Sequence, residues 1–278
     1  MDDDLFISRT ALAARLGHAG APWILDVRRP ERFDASTHRV AGALRTLPPD
    51  DADREVIVYC VHGHEVSQRA ARELRAAGRR AWALEGGIDG GEPGVDGSAF
   101  IGRVRAEPLP VLRQRRDLGV SGEAPSRWIT RERPRIDRIA CPWLVRRFID
   151  PLAEFHFAPT AEVLARAQAL GAVAFDIPGA PITHVGERCS FDALIDAFGL
   201  QLPALDRLAT IVRGADTDRL DLDPVSAGLL AVSLGLARLH EGDDHALLAA
   251  GLPVYDALYA WCAAEQRRDN ETHTWRPA

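Results

Sequence analysis

The sequence predicts an α/β domain, with a parallel sheet flanked by helices, followed by a mainly α (α+β) second domain. Two observations predict this order. Over the first third of the chain, short apolar strand patterns alternate with helical ones, which is typical of a parallel sheet. From Pro203 onward, the apolar spacing is helical almost throughout. A chain of 278 residues, 46% of them hydrophobic, is also long enough to bury two cores.

The predicted division is a first domain at residues 1–92, a linker at 93–126 and a second domain at 127–278. The linker is predicted from a shift in composition toward Gly, Pro, Asp and Arg, and residues 92–97 are its loosest part. Apolar residues between arginines at 109–118 indicate a packed connecting segment.

Strand and helix patterns of the first domain follow one another with recognisable ends. Ser8 caps a predicted helix at 11–16, and Gly17 ends it. Apolar residues at 23–27 predict a buried strand, and the β-branched and aromatic run at 56–59 predicts another. The remaining predicted elements are a short helix at 30–33, a helix at 67–77 and a strand at 81–84.

Bulk properties exclude several classes of protein. The formal net charge of −6 argues against a protein that coats nucleic acid, so nucleic acid is not an expected partner. The first residues lack the features of a signal peptide, and no window is expected to reach the length of a membrane span, which predicts a cytoplasmic protein without a membrane partner. The four cysteines are far apart and form no C-x-x-C pair, so reduced thiols are expected.

Cys60 is the candidate catalytic residue. It follows the predicted strand at 56–59 and precedes a polar loop that opens into a helix. Backbone N–H groups of such a loop, and the positive end of the helix, stabilise a thiolate, which is the reactive form of cysteine. A small buried hydrophobe is the alternative role of a free cysteine.

The order of motifs in the first domain resembles a rhodanese domain over roughly residues 5–92. The motifs are LDVR (25–28), HRVAGA (38–43), VYC (58–60) with Gly63, and LEGGI (84–88). The resemblance implies a sulfurtransferase in which Cys60 carries sulfane sulfur as a persulfide between a sulfur donor and an acceptor. It also implies substrate-binding roles for the loop and its supports, which are Val61, His62, Gly63, His64, Glu65, Asp26 and Arg28.

One loop residue departs from the resembling family. Glu65 occupies the sixth loop position, where many members carry Arg, Lys or Thr. Its carboxylate should disfavour the thiolate and repel thiosulfate, while protonated His62 and His64 would offset that effect. A protein or low-molecular-weight persulfide is therefore as good a donor as thiosulfate. A phosphatase is a weaker hypothesis. Arg69 lies too far along the helix to bind a phosphate held by the loop.

The second domain begins with a predicted strand at 128–130. Cys141 and Pro142 are predicted to open a helix, with the proline in its first turn, that runs to Phe148. The segment 225–239 is apolar on nearly all sides and is predicted to be the central buried helix. The other predicted elements are strands at 154–157 and 173–177, and helices at 161–170 with Thr160 as cap, at 191–198 with Ser190 as cap, at 204–213 and at 254–266.

Four motifs of this half resemble the C-terminal domain of chromate-resistance proteins of the ChrB type. They are RIDRIACPWL (135–144), HVGERCSFD (184–192), RGAD (213–216) and YDALY (255–259). The resemblance covers roughly residues 127–266. It implies a link to chromate or oxyanion stress, and an oxyanion as a partner.

A candidate metal site in this half consists of His184, Glu187, Cys189 and Asp216. These side chains suit a divalent ion such as zinc, iron or manganese, and Asp137 and Asp256 could approach them in space. The alternative is structural. Ser190 and Asp192 would then serve the helix N-terminus, and Glu187 would pair with an arginine.

Three functional hypotheses follow. The first is a sulfurtransferase-type protein with a persulfide on Cys60. The second is a chromate- or oxidant-responsive regulator whose seven arginines between Arg127 and Arg147 bind DNA, although the chain lacks a recognisable helix-turn-helix. The third is a metal-dependent enzyme centred on His184 and Glu187.

Overall fold

The computed structural model describes residues 5–49 and 51–266. The start of the predicted first domain, residues 1–4, and the end of the predicted second domain, from residue 267, lie outside the described residues.

The first sheet has five parallel strands. Asp26, at the end of one strand, pairs with Tyr59 at the end of its neighbour, so both strands finish at the same edge of the sheet. Cys60 follows directly at that edge. In spatial order the strands are β1 (Phe6–Ile7), β6 (Ala81–Leu84), β5 (Val56–Tyr59), β2 (Trp23–Asp26) and β4 (Ala43–Leu44).

Strand β5 is buried on both faces, as expected for the centre of a parallel sheet. Val56 and Val58 lie in a cluster with Ala71 of α3 (Glu65–Ala76), which covers one face of the sheet. Ile57 and Tyr59 belong to the larger cluster on the other side. Two short helices complete this half, α1 (Arg9–Ala13), which Ser8 caps as predicted, and α2 (Pro30–Asp34).

The predicted linker folds against the first domain over much of its length. It contains helix α4 (Ser98–Ala106) and strand β7 (Val111–Arg113), which pairs antiparallel with β3 (His38–Val40). Val104 and Leu112 are fully buried, so both elements contribute to the core.

The second half contains a three-stranded parallel sheet and six helices among the described residues. The central strand of this sheet, β8, lies between β10 and β9. The elements are β8 (Arg127–Arg131), α5 (Asp137–Leu144), β9 (Glu154–Ala158), α6 (Val163–Leu170), β10 (Val173–Ala174), α7 (Ser190–Phe198), α8 (Pro203–Asp216), α9 (Ser226–Leu239) and α10 (Asp244–Gln266).

The predicted start of the helix around Pro142 is wrong. Helix α5 begins at Asp137, so Pro142 lies inside it, and a π-helical turn, Val145–Ile149, follows. An internal proline removes a backbone hydrogen bond and costs about 3 kcal/mol in an isolated helix. Seven of the eight residues of α5 are buried, and this burial offsets the cost.

The prediction that segment 225–239 is the central buried helix is also wrong. Only Ser226, Leu229 and Ser233 of α9 are buried, while Val232 and Leu234 are 46% and 43% exposed. Helix α9 packs with one side on α8 and α10, where Leu230 and Leu236 are half-buried, and part of its apolar surface faces solvent. The deeply buried helix of this half is α5.

Two predicted helix caps are wrong as well. Thr160 opens a 3₁₀ turn, and α6 begins only at Val163. Ser190 is the first residue of α7, whose N-cap is Cys189. The predicted end of this helix at residue 198 is confirmed, because Gly199 follows it in the left-handed conformation and caps α7.

One described helix, over Asp244–Ala264, is long and apolar enough to cross a membrane by length and composition alone. This contradicts the expectation that no window would reach that length. Core helices of soluble proteins satisfy the same criterion, so one such helix is weak evidence of a span. Its residues Leu248, Tyr255 and Cys262 are buried in the protein core.

The two halves share one hydrophobic core. The cluster that contains Ile57 and Leu12 of the first half continues into Trp143 and Phe148 of the second. The backbone N–H of Gly42 donates to the carbonyl of Phe148 at 2.6 Å, so the contact also includes backbone hydrogen bonding.

Candidate active site and candidate metal centre

The thiol of Cys60 lies against the first turn of α3. Its Sγ is 3.2 Å from Oγ of Ser67, the third residue of that helix, and Cys60 is 7% exposed. The N-cap residue, His64, provides no side-chain cap to this helix. The first backbone N–H groups of α3 are therefore available to a negative charge on sulfur, and the helix dipole favours it.

The loop after Cys60 depends on a close backbone approach at Gly63. This glycine has φ +76°, and a Cβ placed on it would lie 2.6 Å from the backbone nitrogen of Gly87. The turn that contains Gly87 thus packs directly on the loop, and both positions require glycine.

Hydrogen bonds hold the same two segments together. The N–H of Ile88 donates to the carbonyl of Cys60 at 3.0 Å, and the N–H of Asp89 donates to that of Val61 at 2.9 Å. The buried guanidinium of Arg9 donates to the carbonyls of Gly87 and Ile88 at 2.9 and 2.7 Å. This arrangement fixes the backbone on which the thiol sits.

Both loop histidines contact the segment after this turn. Nδ1 of His62 is 3.3 Å from the carbonyl of Gly91, while Nε2 of His64 is 2.8 Å from Oδ2 of Asp96 and its Nδ1 is 3.5 Å from Glu92. The backbone N–H of Glu92 and the imidazole of His64 lower the pKa of Asp96. An ionised carboxylate therefore sits beside His64.

Glu65 begins α3 and is exposed, so its carboxylate lies at the positive end of the helix that Cys60 faces. Asp26 and Arg28 are 2% and 3% exposed and pair at 2.6 Å, and the hydroxyl of Tyr59 donates to Asp26 at 2.6 Å. These contacts brace the ends of β2 and β5. The charges of Asp26 and Arg28 face each other and do not face a ligand-binding surface.

A second group of titratable side chains surrounds His184 in the second half of the chain. Its Nε2 atom lies 3.4 Å from Oδ2 of Asp137, 3.4 Å from Oδ1 of Asp176 and 3.2 Å from Oδ2 of Asp216. The side chain of His184 is 40% exposed, whereas that of Asp137 is fully buried. The cluster is thus open to solvent mainly at His184, while the side chain of Asp216 is 17% exposed.

The N-termini of two helices, α5 and α7, fix the position of Asp137. It is the first residue of α5, and the preceding Ile136 has the left-handed φ of +32° that a β-branched residue rarely adopts. Its carboxylate accepts the N–H groups of Ser190 and Phe191, in the first turn of α7, at 2.5 and 3.3 Å. The dipole of α7 therefore points at Asp137.

Asp176 also has a left-handed backbone, with φ +53°. Its Oδ1 accepts the hydroxyl of Ser190 at 2.9 Å, and its Oδ2 pairs with Arg131 at 2.8 Å and with Arg138 at 3.3 Å. Strained backbone is tolerated where surrounding contacts enforce it, and such positions occur frequently at functional sites.

The cluster shifts the acidity of its members. Burial, then the negative charges of Asp137 and Asp176, raises the pKa of Asp216 to about 7. Contact with the Asp137 carboxylate is the main cause that raises the pKa of His184 to about 9. Burial also raises the pKa of Asp137. Three carboxylates therefore lie close together around one imidazole.

Comparisons with known proteins agree with the two halves. Residues 8–92 match the rhodanese-like domain family, and residues 128–262 match the family described as ChrB, C-terminal domain. The chain joins a rhodanese-like domain to a ChrB C-terminal domain. It is 36% identical over 160 residues to Protein ChrB of Cupriavidus metallidurans, a match that covers 54% of this chain and 48% of that relative. The matched region thus spans about half of the curated relative's length.

In the ChrB C-terminal domain, the structure brings together two of the four predicted metal ligands, His184 and Asp216. The ligand atoms of Asp137, His184 and Asp216 all lie within 4.8 Å of one another. Glu187 is exposed in a turn outside this group, and Cys189 is buried with its Sγ 3.3 Å from Oδ2 of Asp192.

Sequence reasoning weighed Asp137 without including it among the ligands, and it missed Asp176. Asp176 lies within the predicted strand 173–177, near the carboxyl end of a parallel sheet, where ligands usually bind. Its position in the sequence could therefore have identified Asp176 as a candidate functional residue. Asp256, which was also considered, instead accepts hydrogen bonds from Trp143 at 2.8 Å and Arg147 at 2.7 Å.

The rhodanese-like domain meets the ChrB C-terminal domain away from Cys60. Contacts between the halves involve Gly42, just before β4, and His18, before β2, whose ring packs on Tyr259. These residues lie at the amino ends of the parallel strands, whereas Cys60 follows a carboxyl end. The two candidate sites are therefore built on separate parts of the molecule.

Proposed function

We propose that the chain is a sulfur carrier that holds sulfane sulfur as a persulfide on Cys60. The observation that carries this proposal is the position of Sγ, 3.2 Å from Ser67 Oγ in the first turn of α3. The Ser67 hydroxyl can turn from the carbonyl of His64 to donate to a thiolate at this position, and the field of the helix N-terminus favours the same charge. The match of residues 8–92 to the rhodanese-like domain supports the same chemistry.

The transfer proceeds by nucleophilic attack. The Cys60 thiolate attacks the outer sulfur of a donor R–S–SH, a new S–S bond forms, and the donor's S–S bond breaks. The donor leaves as the thiolate R–S⁻, and Cys60 becomes the persulfide. The terminal sulfur then occupies the cradle of loop N–H groups until an acceptor thiolate removes it.

The charges around the loop favour a persulfide donor over thiosulfate. Glu65, Glu92 and Asp96 place three carboxylates near the loop, and His64 is held against two of them. These carboxylates repel a dianion such as thiosulfate. A low-molecular-weight or protein persulfide carries less charge at its reacting end.

Intact-mass spectrometry after incubation with a persulfide donor tests the proposal. We expect the wild-type chain to gain one sulfur atom and Cys60→Ser to gain none. Cys262→Ala is the matched control, since this thiol is fully buried in α10, and it should still gain the sulfur. Equal gain by wild type and Cys60→Ser would refute the role of Cys60.

We further propose that this carrier acts in chromate or oxyanion stress. The support is the ChrB C-terminal domain, which makes up about half of the chain. A host strain that lacks the protein should grow poorly on chromate and recover with the wild-type chain, but not with Cys60→Ser. Full recovery with Cys60→Ser would separate chromate resistance from sulfur transfer.

The arginine-rich segment gives less support to a DNA-binding regulator. Arg131 and Arg147 are paired with Asp176 and Asp256, at 2.8 and 2.7 Å. The guanidinium of Arg146 stacks on Phe155, 5.1 Å from its ring centre. Guanidinium groups engaged in this way are not free to contact phosphates.

A further inference from the structure

We propose that Asp137, His184 and Asp216 form a binding site for one divalent transition-metal ion. The three side chains come from the start of α5, the loop before α7 and the end of α8. They offer two carboxylate oxygens and one imidazole nitrogen, which is a mixed donor set rather than a patch of acidic residues.

The distances from Nε2 of His184 to the carboxylates are those between neighbouring ligand atoms around an ion. One Nε2–H can donate to only one acceptor, yet three carboxylate oxygens lie 3.2–3.4 Å from Nε2 of His184. A direct charge-assisted hydrogen bond is about 2.7–2.9 Å long, and His64 makes one of 2.8 Å to Asp96. Around an ion with bonds of about 2.1 Å, neighbouring ligand atoms are separated by about 3.0–3.4 Å.

The burial of the Asp137 carboxylate requires a cation beside it, which is either the imidazolium of His184 or a bound ion that replaces its proton. In the described part of the chain, most buried aspartates have an arginine within 4 Å, and Asp137 has none. Asp150 shares this property, but it accepts three hydrogen bonds from Ser126 and Leu152. The arginine-paired aspartates are Asp26 with Arg28, Asp176 with Arg131, Asp192 with Arg213 and Asp223 with Arg207.

Surrounding contacts orient the two carboxylate ligands. The N–H groups of Ser190 and Phe191 fix the Asp137 carboxylate, and the N–H of Asp137 lies 3.4 Å from Oδ1 of Asp216. Oδ2 of Asp216 is left facing His184. Such outer contacts hold metal ligands in place and tune their basicity.

The donor set selects the class of ion. Two carboxylates and an imidazole suit Mn²⁺, Fe²⁺ or Zn²⁺, whereas Ca²⁺ and Mg²⁺ prefer oxygen alone. Three protein ligands leave coordination positions free, and the 40% exposure of His184 places them toward solvent. Arg138, beside Asp176, adds positive charge next to this opening, which suits an anionic co-ligand.

Titration of the full-length chain with Mn²⁺, followed by calorimetry and electron paramagnetic resonance, tests the proposal. Mn²⁺ is the probe because thiols bind it poorly, which keeps the cysteines out of the measurement. We expect one ion per chain. His184→Ala and Asp216→Asn should each weaken binding by at least about tenfold, which is the smallest effect usual for a supporting residue.

Two control variants match the ligand types. Asp196→Asn replaces an aspartate that is 57% exposed and pairs with Arg188, and His240→Ala replaces a histidine outside the cluster. Both should bind Mn²⁺ as the wild type does. Circular dichroism of each variant establishes that the fold is intact.

Two results would overturn the proposal. One is the absence of stoichiometric Mn²⁺ binding by the folded wild-type chain, which would leave the cluster as an ion-paired network. The other is binding that both ligand variants retain. Cys60→Ser should bind Mn²⁺ normally, so this test and the persulfide test fail independently.

Discussion

Ser67 Oγ lies 3.2 Å from Cys60 Sγ and, in turn, 3.2 Å from the carbonyl of His64. One hydroxyl therefore lies between the Cys60 sulfur and the loop that surrounds it. Ser67 is fully buried in the first turn of α3, and its one hydroxyl hydrogen can serve either the carbonyl of His64 or a thiolate on Cys60. We expect this hydroxyl to be the main side-chain donor to a Cys60 thiolate.

Ser67→Ala should slow persulfide formation roughly tenfold, because a hydrogen bond to a charged group contributes about 1.5 kcal/mol or more. The rate of Cys60 alkylation by iodoacetamide should fall in parallel. Ser98→Ala, in helix α4, is the control and should change neither rate. An unchanged alkylation rate in Ser67→Ala would show that the thiolate does not depend on this hydroxyl.

Glu65→Arg should increase the rate with thiosulfate much more than the rate with a neutral persulfide, because it reverses the charge at the sixth loop position. Stopped-flow or discontinuous assays with both donors measure the ratio of the thiosulfate rate to the persulfide rate. Glu73→Arg makes the same change of charge on the exposed face of α3 and should leave the ratio unaltered. The account of donor choice is wrong if both variants behave alike.

Gly63→Ala should be more destabilising than Gly78→Ala. Both glycines have a left-handed φ, at +76° and +84°, so both variants suffer backbone strain of about 1–3 kcal/mol. Only at Gly63 would the new Cβ also meet the backbone of Gly87, at 2.6 Å, while Gly78 faces open space. Urea unfolding of the two variants measures the difference.

The metal-free protein should lose stability as the pH rises from about 4 to about 9. The pKa of Asp216 is raised to about 7, above the value of about 3.9 in the unfolded chain, so ionising this group costs folding free energy over that interval. The pKa of His184 is raised to about 9, so its stabilisation is complete below about pH 6.5 and is lost as the pH approaches 9.

Urea midpoints at several pH values, measured with a chelator, test this pH dependence. His184→Ala should flatten the profile between about pH 6.5 and 9, and His240→Ala should not. Equal profiles for the wild type and His184→Ala would show that the cluster does not interact with this imidazole as the distances indicate.

Local patterns predicted the secondary structure around Cys60 well because its parts are close in sequence. The strand Val56–Tyr59, Cys60 and the following helix form one strand, turn and helix unit. The contacts of this loop with Arg9 and Asp96 depend on the fold of more distant segments, and no local pattern indicates them.

The second site was predicted only in part, because Asp137, Asp176 and Asp216 belong to segments about 40 residues apart. Their convergence follows from tertiary packing of α5, α7 and α8. Packing also explains why the predictions for Pro142 and for segment 225–239 were wrong. Burial of α5 stabilises this helix although Pro142 lies inside it. Helix α9 lies largely on the surface although it is apolar, because composition does not specify which neighbours cover a helix.

The persulfide on Cys60 is tested most directly by isotope-labelled sulfur. The full-length chain is incubated with a persulfide donor whose outer sulfur is labelled, digested without reductant, and then exposed to an acceptor thiol. The account predicts one labelled sulfur on the peptide that contains Cys60, which the acceptor removes. Label on another cysteine, or no label on a folded chain, would contradict it.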